Sequence, residues 1–245
     1  MGSSPYGRLW KLRTSGLRRY RRLQRSLSVT TVTCRYFGAR FSVDIRDLIG
    51  FEIATGRLEF GDITKLLSAC GRLRPSIFID VGANIGLYSC IAGYHRVAPR
   101  IVAFEPDPGN FSGLVRNIAL NKLGSLIEAR PDAVGEAEGE AYLLAGPLAN
   151  SGLSAIRPDG THRVRVTALD RTFALHGETI AVKIDVEGDE PSVLRGATSL
   201  FSDNRGFALI EALGDAAARS TTEFMRSRGW PLIERHGINL MFERT

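Results

Sequence analysis

The sequence predicts a doubly wound α/β domain with a mostly parallel sheet, and three stretches carry that prediction. Phe78-Ile79-Asp80-Val81-Gly82-Ala83-Asn84-Ile85-Gly86 reads as a buried strand breaking into a glycine turn that opens a helix. Val102-Ala103-Phe104-Glu105-Pro106 reads as the next buried strand, ending in an acid. Residues 179–186 form a nearly continuous apolar run, as a strand covered on both faces does. Strands alternating with helices imply parallel pairing, and such sheets hold ligands beyond the carboxyl ends of their strands.

The elements follow in chain order. Residues 1–45 are expected as a basic arm ending in a short hairpin, with strands at 29–34 and 39–43. A helical lead-in at 46–74 holds helices at 47–55 and 63–73, the second capped by Gly61-Asp62 and stopped by Pro75. Strands at 77–81 and 101–104 then alternate with helices at about 86–95 and 108–121. A third strand at 126–129 leads into Pro131-Asp132-Ala133. Residues 140–144 and 163–169 alternate apolar and polar side chains, as half-exposed strands do. Between them, 146–160 is rich in Gly, Pro, Ser and Asn and is expected as a mobile loop over a pocket. Beyond the strand at 179–186, one helix is expected from Pro191 to Phe201, a strand at 207–211, and a helix at 215–228 stopped by Gly229. Residues 231–234 and 239–243 close the sheet edge as an antiparallel pair. Residues 46–245 therefore form one domain.

Composition limits the function classes. An apolar content of 44% allows a sizeable core, and no run of about 18 apolar residues offers a membrane span. The N-terminus lacks the apolar core of a secretory signal, so the expected compartment is the cytoplasm. Cys34, Cys70 and Cys90 form no metal spacing and are expected as reduced, partly buried thiols. The first 40 residues hold ten Lys/Arg and no acid, which leaves the rest slightly acidic. Arg18, Arg19, Arg21, Arg22 and Arg25 can bind anionic lipid, RNA or an acidic partner, or form a solvated arm with no ligand.

The glycine turn decides which ligand the sheet holds. A dinucleotide turn needs Gly-x-Gly-x-x-Gly so that a diphosphate can sit on the helix N-terminus. Here the turn is Gly82-Ala83-Asn84-Ile85-Gly86, and Asp80 precedes it at the strand tip. A carboxylate there suits an ammonium group better than a diphosphate. S-adenosylmethionine carries an ammonium and a sulfonium and no phosphate, so a methyl-donor pocket is expected. Glu105 is then the ribose partner, Asp80 faces the amino-acid end, and Asn84 turns its amide toward the donor. Asp132 either accepts from the adenine amino group or is a turn aspartate. Acids also fall at the strand tips Asp185 and Glu211. In Lys183-Ile184-Asp185-Val186-Glu187-Gly188-Asp189-Glu190, Asp189 and Glu190 suit a helix start, and Lys183 is expected to pair with an acid. Asp185 and Glu187 point above the sheet, where one can take a hydroxyl proton or, with Glu211, both can hold Mg²⁺. The loop Asn150-Ser151-Gly152-Leu153-Ser154 can approach a substrate, as can His162, His176 or His236.

Taken in order, the glycine-turn segment 78–89, Ala103-Phe104-Glu105-Pro106, the stretch Asn117 to Asn121, Thr167-Ala168-Leu169-Asp170, Lys183-Ile184-Asp185-Val186-Glu187-Gly188 and Val193-Leu194-Arg195-Gly196 resemble the FkbM family of methyltransferases. The resemblance runs over roughly residues 75–212 and leaves the arm uncovered. It implies a class I methyltransferase fold, S-adenosylmethionine as donor, and O-methylation of a hydroxyl on a sugar, polyketide or other small metabolite. It implies Asp80, Gly82, Asn84, Gly86 and Glu105 at the donor, and Asp185, Glu187 and Glu211 near the acceptor; Ala83, Pro106, Asp132 and Ala133, beside the same turn and strand tips, are also expected at the donor. Two other readings stay open: an RNA ribose methyltransferase guided by the basic arm, and a non-catalytic nucleoside-binding protein.

Overall fold

The computed structural model describes residues 30–147 and 149–245. The arginine cluster at 18–25, with its expected lipid, RNA or protein contacts, lies outside the described residues. The strands that open the chain are β1 (Thr31–Tyr36), β2 (Ala39–Asp44), β3 (Ile77–Val81), β4 (Ile101–Phe104) and β5 (Ile127–Arg130). Four more follow, two of them short: β6 (Ala133–Val134), β7 (Gly139–Leu144), β8 (Ala155–Ile156) and β9 (His162–Thr167). The last are β10 (Thr179–Ile184), β11 (Arg205–Glu211), β12 (Leu232–His236) and β13 (Asn239–Arg244). The helices are α1 (Leu48–Ala54), α2 (Phe60–Leu73), α3 (Leu87–Tyr94), α4 (Pro108–Leu120), α5 (Leu169–Thr172), α6 (Glu190–Arg195), α7 (Thr198–Asp203) and α8 (Asp215–Ser227).

Seven strands form the central sheet in the order β12-β13-β11-β10-β3-β4-β5. The five from β11 to β5 are parallel, and β13 runs antiparallel to both its neighbours. The parallel sheet with an antiparallel C-terminal edge is the expected α/β architecture. Side chains alternate between the faces, and helices bury both. Phe78, Ala181, Phe207 and Leu209 pack with Ile63, Leu66, Tyr88 and Leu114 on one side. Ile79, Phe104, Val182 and Ile210 pack with Val193, Phe201, Ala218 and Met225 on the other. The first crossing, from β3 to β10, is the switch point where chain order reverses, and ligand sites form there.

The β1–β2 hairpin joins the first of these cores through Tyr36, Ala39, Phe41 and Val43. Asn117 on α4 fastens it: its Oδ1 accepts from Ser42 N, and its Nδ2 donates to Ile85 O in the glycine turn, both at 2.8 Å. A smaller sheet, β6-β9-β7-β8, stands beside β5.

The structure departs from expectation at three local points. The helix expected from Pro191 to Phe201 is two helices, α6 and α7. Gly196 passes so close to Gly135 O that a Cβ would lie 2.1 Å from it, and Asp170 accepts from Ser199 N and Leu200 N to start α7 afresh. Gly61-Asp62 does not cap α2, which begins at Phe60; Asp62 instead reaches across to the β12–β13 turn. The loop at 146–160 contains a 3-10 turn at Ser151–Leu153 and the strand β8, and it is fastened at several points. Cys34, Cys70 and Cys90 are free; burial pushes the Cys70 and Cys90 thiols up to about 12. No helix among the described residues is long and apolar enough to cross a membrane.

Candidate active site

A cleft of about 580 Å³ opens at the carboxyl ends of the strands, a size that suits a small organic ligand. Gly82, Ala83, Asn84, Glu105, Pro106, Asp132 and Ala133 line one part of it, and Asp185, Glu187 and Glu211 line another. Asp80 and Gly86 are not on its wall.

The glycine turn is built so that its own amides are satisfied. Gly82 N and Ala83 N both donate to Phe104 O, at 3.0 and 2.9 Å. Asn84 N donates to Glu105 Oε2 at 2.7 Å, Ile85 N to Asn84 Oδ1 at 2.8 Å, and Gly86 N to Ala83 O at 2.8 Å. A diphosphate cradle needs such N–H groups free and pointing outward; none of these five is. Gly82 is required by space as well as by its φ of 75°: a Cβ there would sit 1.7 Å from Asp185 O.

Glu105 is 4% exposed, yet it lines the cleft. Each of its oxygens takes one backbone N–H, from Asn84 and from Asp107, which leaves each a further lone pair. Burial pushes its carboxyl up to about 7, against the pull of the amides of Asp107 and Asn84. This carboxylate and the phosphate-free turn fit a ribose whose nucleoside carries a cation, as S-adenosylmethionine does.

Three donor-side expectations need correction. Asp80 does not face the cleft; it lies fully buried under the turn, where its Oδ2 accepts from Ser89 Oγ at 2.5 Å. Burial raises its pKa, opposed mainly by Lys183. Asn84 uses its amide within the protein, with Oδ1 accepting from Ile85 N and Nδ2 donating to Ser151 O of the covering loop at 3.5 Å, and holds φ at 50°. Asp132 is neither a simple turn residue nor a free acceptor. Arg165 binds both its oxygens at 2.7 Å, and Arg130 Nε binds Oδ2 at 3.1 Å. Burial alone would raise its pKa, but the two arginines outweigh it and hold the carboxyl below its usual range.

The other part of the cleft is a buried charge network. Lys183 Nζ donates to Gly82 O at 3.0 Å and pairs with Asp185 Oδ2 at 3.1 Å, as expected of a lysine facing acids. Burial disfavours its charge, but Asp185, Asp80 and Glu59 overcome this and raise its pKa. Glu187 sits at φ 57°, a strained conformation for a non-glycine residue, next to Gly188 at φ 110°. Glu190 Oε1 supports that turn by accepting from Val186 N and Gly188 N, each at 3.1 Å, while the Asp189 side chain makes no capping bond to α6. Burial, with Asp185 and then Glu190 nearby, lifts Glu187 to about 7. Burial, with Asp185 and Glu187, lifts Glu211 to about 9. Asp185, Glu187 and Glu211 each offer an oxygen within 4.8 Å of the others, a donor set that a hard divalent cation accepts.

Sequence reasoning missed several lining residues. Glu59, Asp62 and Asn110 carry no motif, and Tyr88 sits in the glycine-turn motif without a role read from it; they reach the cleft from the starts of α2, α4 and α3. Asp62 is 3% exposed; its Oδ1 binds His236 Nδ1 at 2.7 Å and its Oδ2 accepts from Asn239 Nδ2 at 2.8 Å. Of the histidines considered, His236 lines the cleft and His162 and His176 do not. The 146–160 loop does cover the cleft. Ser151 N and Oγ donate to Asp47, Ser154 Oγ donates to Asp107 Oδ2 at 2.9 Å, and Ser151 O accepts from Asn110 Nδ2 at 3.1 Å.

Comparison with known proteins bears on this site. The profile of the methyltransferase FkbM domain matches residues 80–230. The hexuronic acid methyltransferase AglP of Haloferax volcanii is 27% identical over 199 residues, 77% of this chain and 76% of that protein. The 31-O-demethyl-FK506 methyltransferase FkbM of Streptomyces tacrolimicus is 28% identical over 174 residues, 66% of this chain and 64% of that protein. The crystal structure of a methyltransferase FkbM from Methylobacillus flagellatus aligns with a TM-score of 0.49 at 20% identity, over 70% of this chain and 44% of that one. The chain thus spans less than half the length of that solved protein. The structure of aTrm5 in complex with tRNALeu aligns with a TM-score of 0.50 at 14% identity, over 89% of this chain and 54% of that one, a likeness of fold alone.

Proposed function

The chain belongs to the FkbM family of S-adenosylmethionine-dependent methyltransferases, and from that premise we propose that it methylates a hydroxyl of a sugar or another small metabolite. The observation that carries the donor assignment is the glycine turn, whose five amides are bonded internally, beside the Glu105 carboxylate with lone pairs to spare. The relative acting on 31-O-demethyl-FK506 supports an oxygen acceptor, and the one acting on a hexuronic acid supports a sugar.

S-adenosylmethionine, when bound, supplies an electrophilic methyl carbon on its sulfonium. Glu105 accepts hydrogen bonds from the ribose hydroxyls, Gly82, Ala83 and Pro106 lie against the nucleoside, and Ala133 and the remaining lone pair of Asp132 border its base. The many carboxylates of the cleft favour a positively charged ligand. Asp185, Glu187 and Glu211 hold the acceptor. Glu211 keeps its proton near neutrality and donates a hydrogen bond, Asp185 stays paired with Lys183, and Glu187 accepts from a hydroxyl. Such transfer asks first for in-line placement of the acceptor oxygen, which these groups provide. The same three carboxylates would be the ones to hold Mg²⁺, which would supply positive charge to an acceptor oxygen.

The test is transfer from methyl-labelled S-adenosylmethionine to a panel of glycosides, glycosiduronates and macrocyclic alcohols. Label in an alkali-stable ether is expected. Label only in methyl esters, or only in added tRNA, would refute the hydroxyl acceptor of a small molecule.

A further inference from the structure

The transferred methyl replaces a hydroxyl proton, so the acceptor oxygen must hand that proton to a neighbouring group. Asp185 is paired with Lys183, and Glu187 and Glu211 beside it hold the acceptor in the reading above.

A different group has an open lone pair. His236, at the β12–β13 turn, lines the cleft with Gly237, Ile238 and Asn239. The turn abuts the acidic end, because Asn239 pairs with Glu211 across the sheet edge and His236 pairs with Asn239. Asp62 lies almost fully buried beneath it and grips both residues, one carboxylate oxygen each. An ionised carboxylate only accepts hydrogen bonds, so Nδ1 of His236 must carry the hydrogen it shares with Asp62. In the neutral ring Nε2 is then bare, and among the described residues it has no hydrogen-bond partner. The Asp62–His236 arrangement is that of a histidine base whose tautomer a buried aspartate sets.

We propose that His236 is the general base of the transfer and that Asp62 is its positioning residue. Resting on the hydroxyl acceptor proposed above, the step balances as follows. The acceptor oxygen forms a bond to the methyl carbon as the carbon–sulfur bond breaks. The sulfur keeps the electron pair as neutral S-adenosylhomocysteine, and the hydroxyl proton moves to Nε2 of His236, to be lost to water afterwards. Asp62 stabilises the imidazolium while it exists.

The experiment has two arms on the full chain. In the first, long-range proton–nitrogen NMR reads the imidazole tautomers with S-adenosylhomocysteine bound at pH 8. His236 is expected with hydrogen on Nδ1 and a bare Nε2, and Asp62→Asn is expected to shift it toward hydrogen on Nε2. A wild-type ring carrying its hydrogen on Nε2 overturns the proposal without any acceptor. In the second, turnover is measured with 4-nitrophenyl β-glucoside and 4-nitrophenyl β-glucuronide. His236→Gln is expected to lower kcat by about 10²-fold or more with donor affinity unchanged. Glu187→Gln is expected mainly to raise the acceptor KM. Loss of kcat in Glu187→Gln with kcat kept in His236→Gln overturns the proposal. A wild type that binds S-adenosylhomocysteine but methylates neither glycoside counts against the sugar acceptor, and the tautomer still decides the base.

Discussion

At the scale of single residues, the donor site rests on Glu105 and Gly82. Glu105→Ala removes a charged acceptor of two ribose hydroxyls, and such hydrogen bonds contribute about 1.5–3 kcal/mol each, so donor affinity should fall at least about 100-fold. Isothermal calorimetry checks this, and a circular dichroism melt shows that the variant is folded. Gly82→Ala should fail differently. Its Cβ would collide with Asp185 O at 1.7 Å where β3 meets β10, and φ of 75° disfavours any side chain. A loss of roughly 3 kcal/mol or more in chemical denaturation is expected, since neither backbone can move aside. The sequence made this half of the site readable because glycines and strand-tip acids are contiguous there. It was misleading about Asp80 for a simple reason. Alternation along β3 turns that side chain onto the helix-covered face with Phe78, under Ser89, rather than out of the sheet. The acid-and-histidine end was less readable, because Glu59 and Asp62 at the start of α2 and His236 at the β12–β13 turn are far apart in sequence, and only the fold brings them to one cleft.

At the scale of elements, the covering loop and the broken helix make opposite lessons. Gly, Pro, Ser and Asn correctly marked 146–160 as a loop over the pocket, but they carried no sign of its anchors, which lie at the N-terminal ends of α1 and α4. Asp47→Ala removes the partner of Ser151 N, Ser151 Oγ and Gly50 N together. S-adenosylhomocysteine should then dissociate several-fold faster in stopped-flow fluorescence, with the melting temperature lowered by the lost α1 cap, worth about 1 kcal/mol. The break between α6 and α7 was hidden because Val193, Leu194, Leu200 and Phe201 keep an apolar pattern across it. What ends α6 is a backbone approach, Gly196 to Gly135, and what starts α7 is Asp170 from a distant element. Asp170→Ala should cost about 1–2 kcal/mol, as loss of a helix cap does, readable in a urea melt. The sheet strands were the easiest elements to read, because burial on both faces leaves near-continuous apolar runs bounded by Gly and Pro.

At the scale of the whole molecule, the cleft concentrates carboxyls that folding does not want charged. Glu105, Glu187 and Glu211 rise from an ordinary 4.5 to about 7, 7 and 9. Between those limits the folded chain holds more protons than the unfolded one, so stability falls as pH rises through that window. Asp44, Asp132 and Glu243 are shifted the other way by arginines, and they add stability only as pH climbs out of the acid range. The ligand-free protein should therefore melt progressively lower from pH 5 to 9. Glu211→Gln should flatten the upper part of that slope, raising the pH 9 melting temperature by roughly 2–4 °C for about 1 kcal/mol after solvent screening. A cationic donor neutralises part of the same field, which links the stability profile to the ligand the cleft selects.

That selection is tested most directly by calorimetric titration of the wild-type chain with S-adenosylmethionine, S-adenosylhomocysteine and NAD side by side. Binding of both adenosyl ligands with none of NAD is predicted, because every amide of the 82–86 turn is already engaged within the protein. Tight binding of NAD with none of either adenosyl ligand would contradict it.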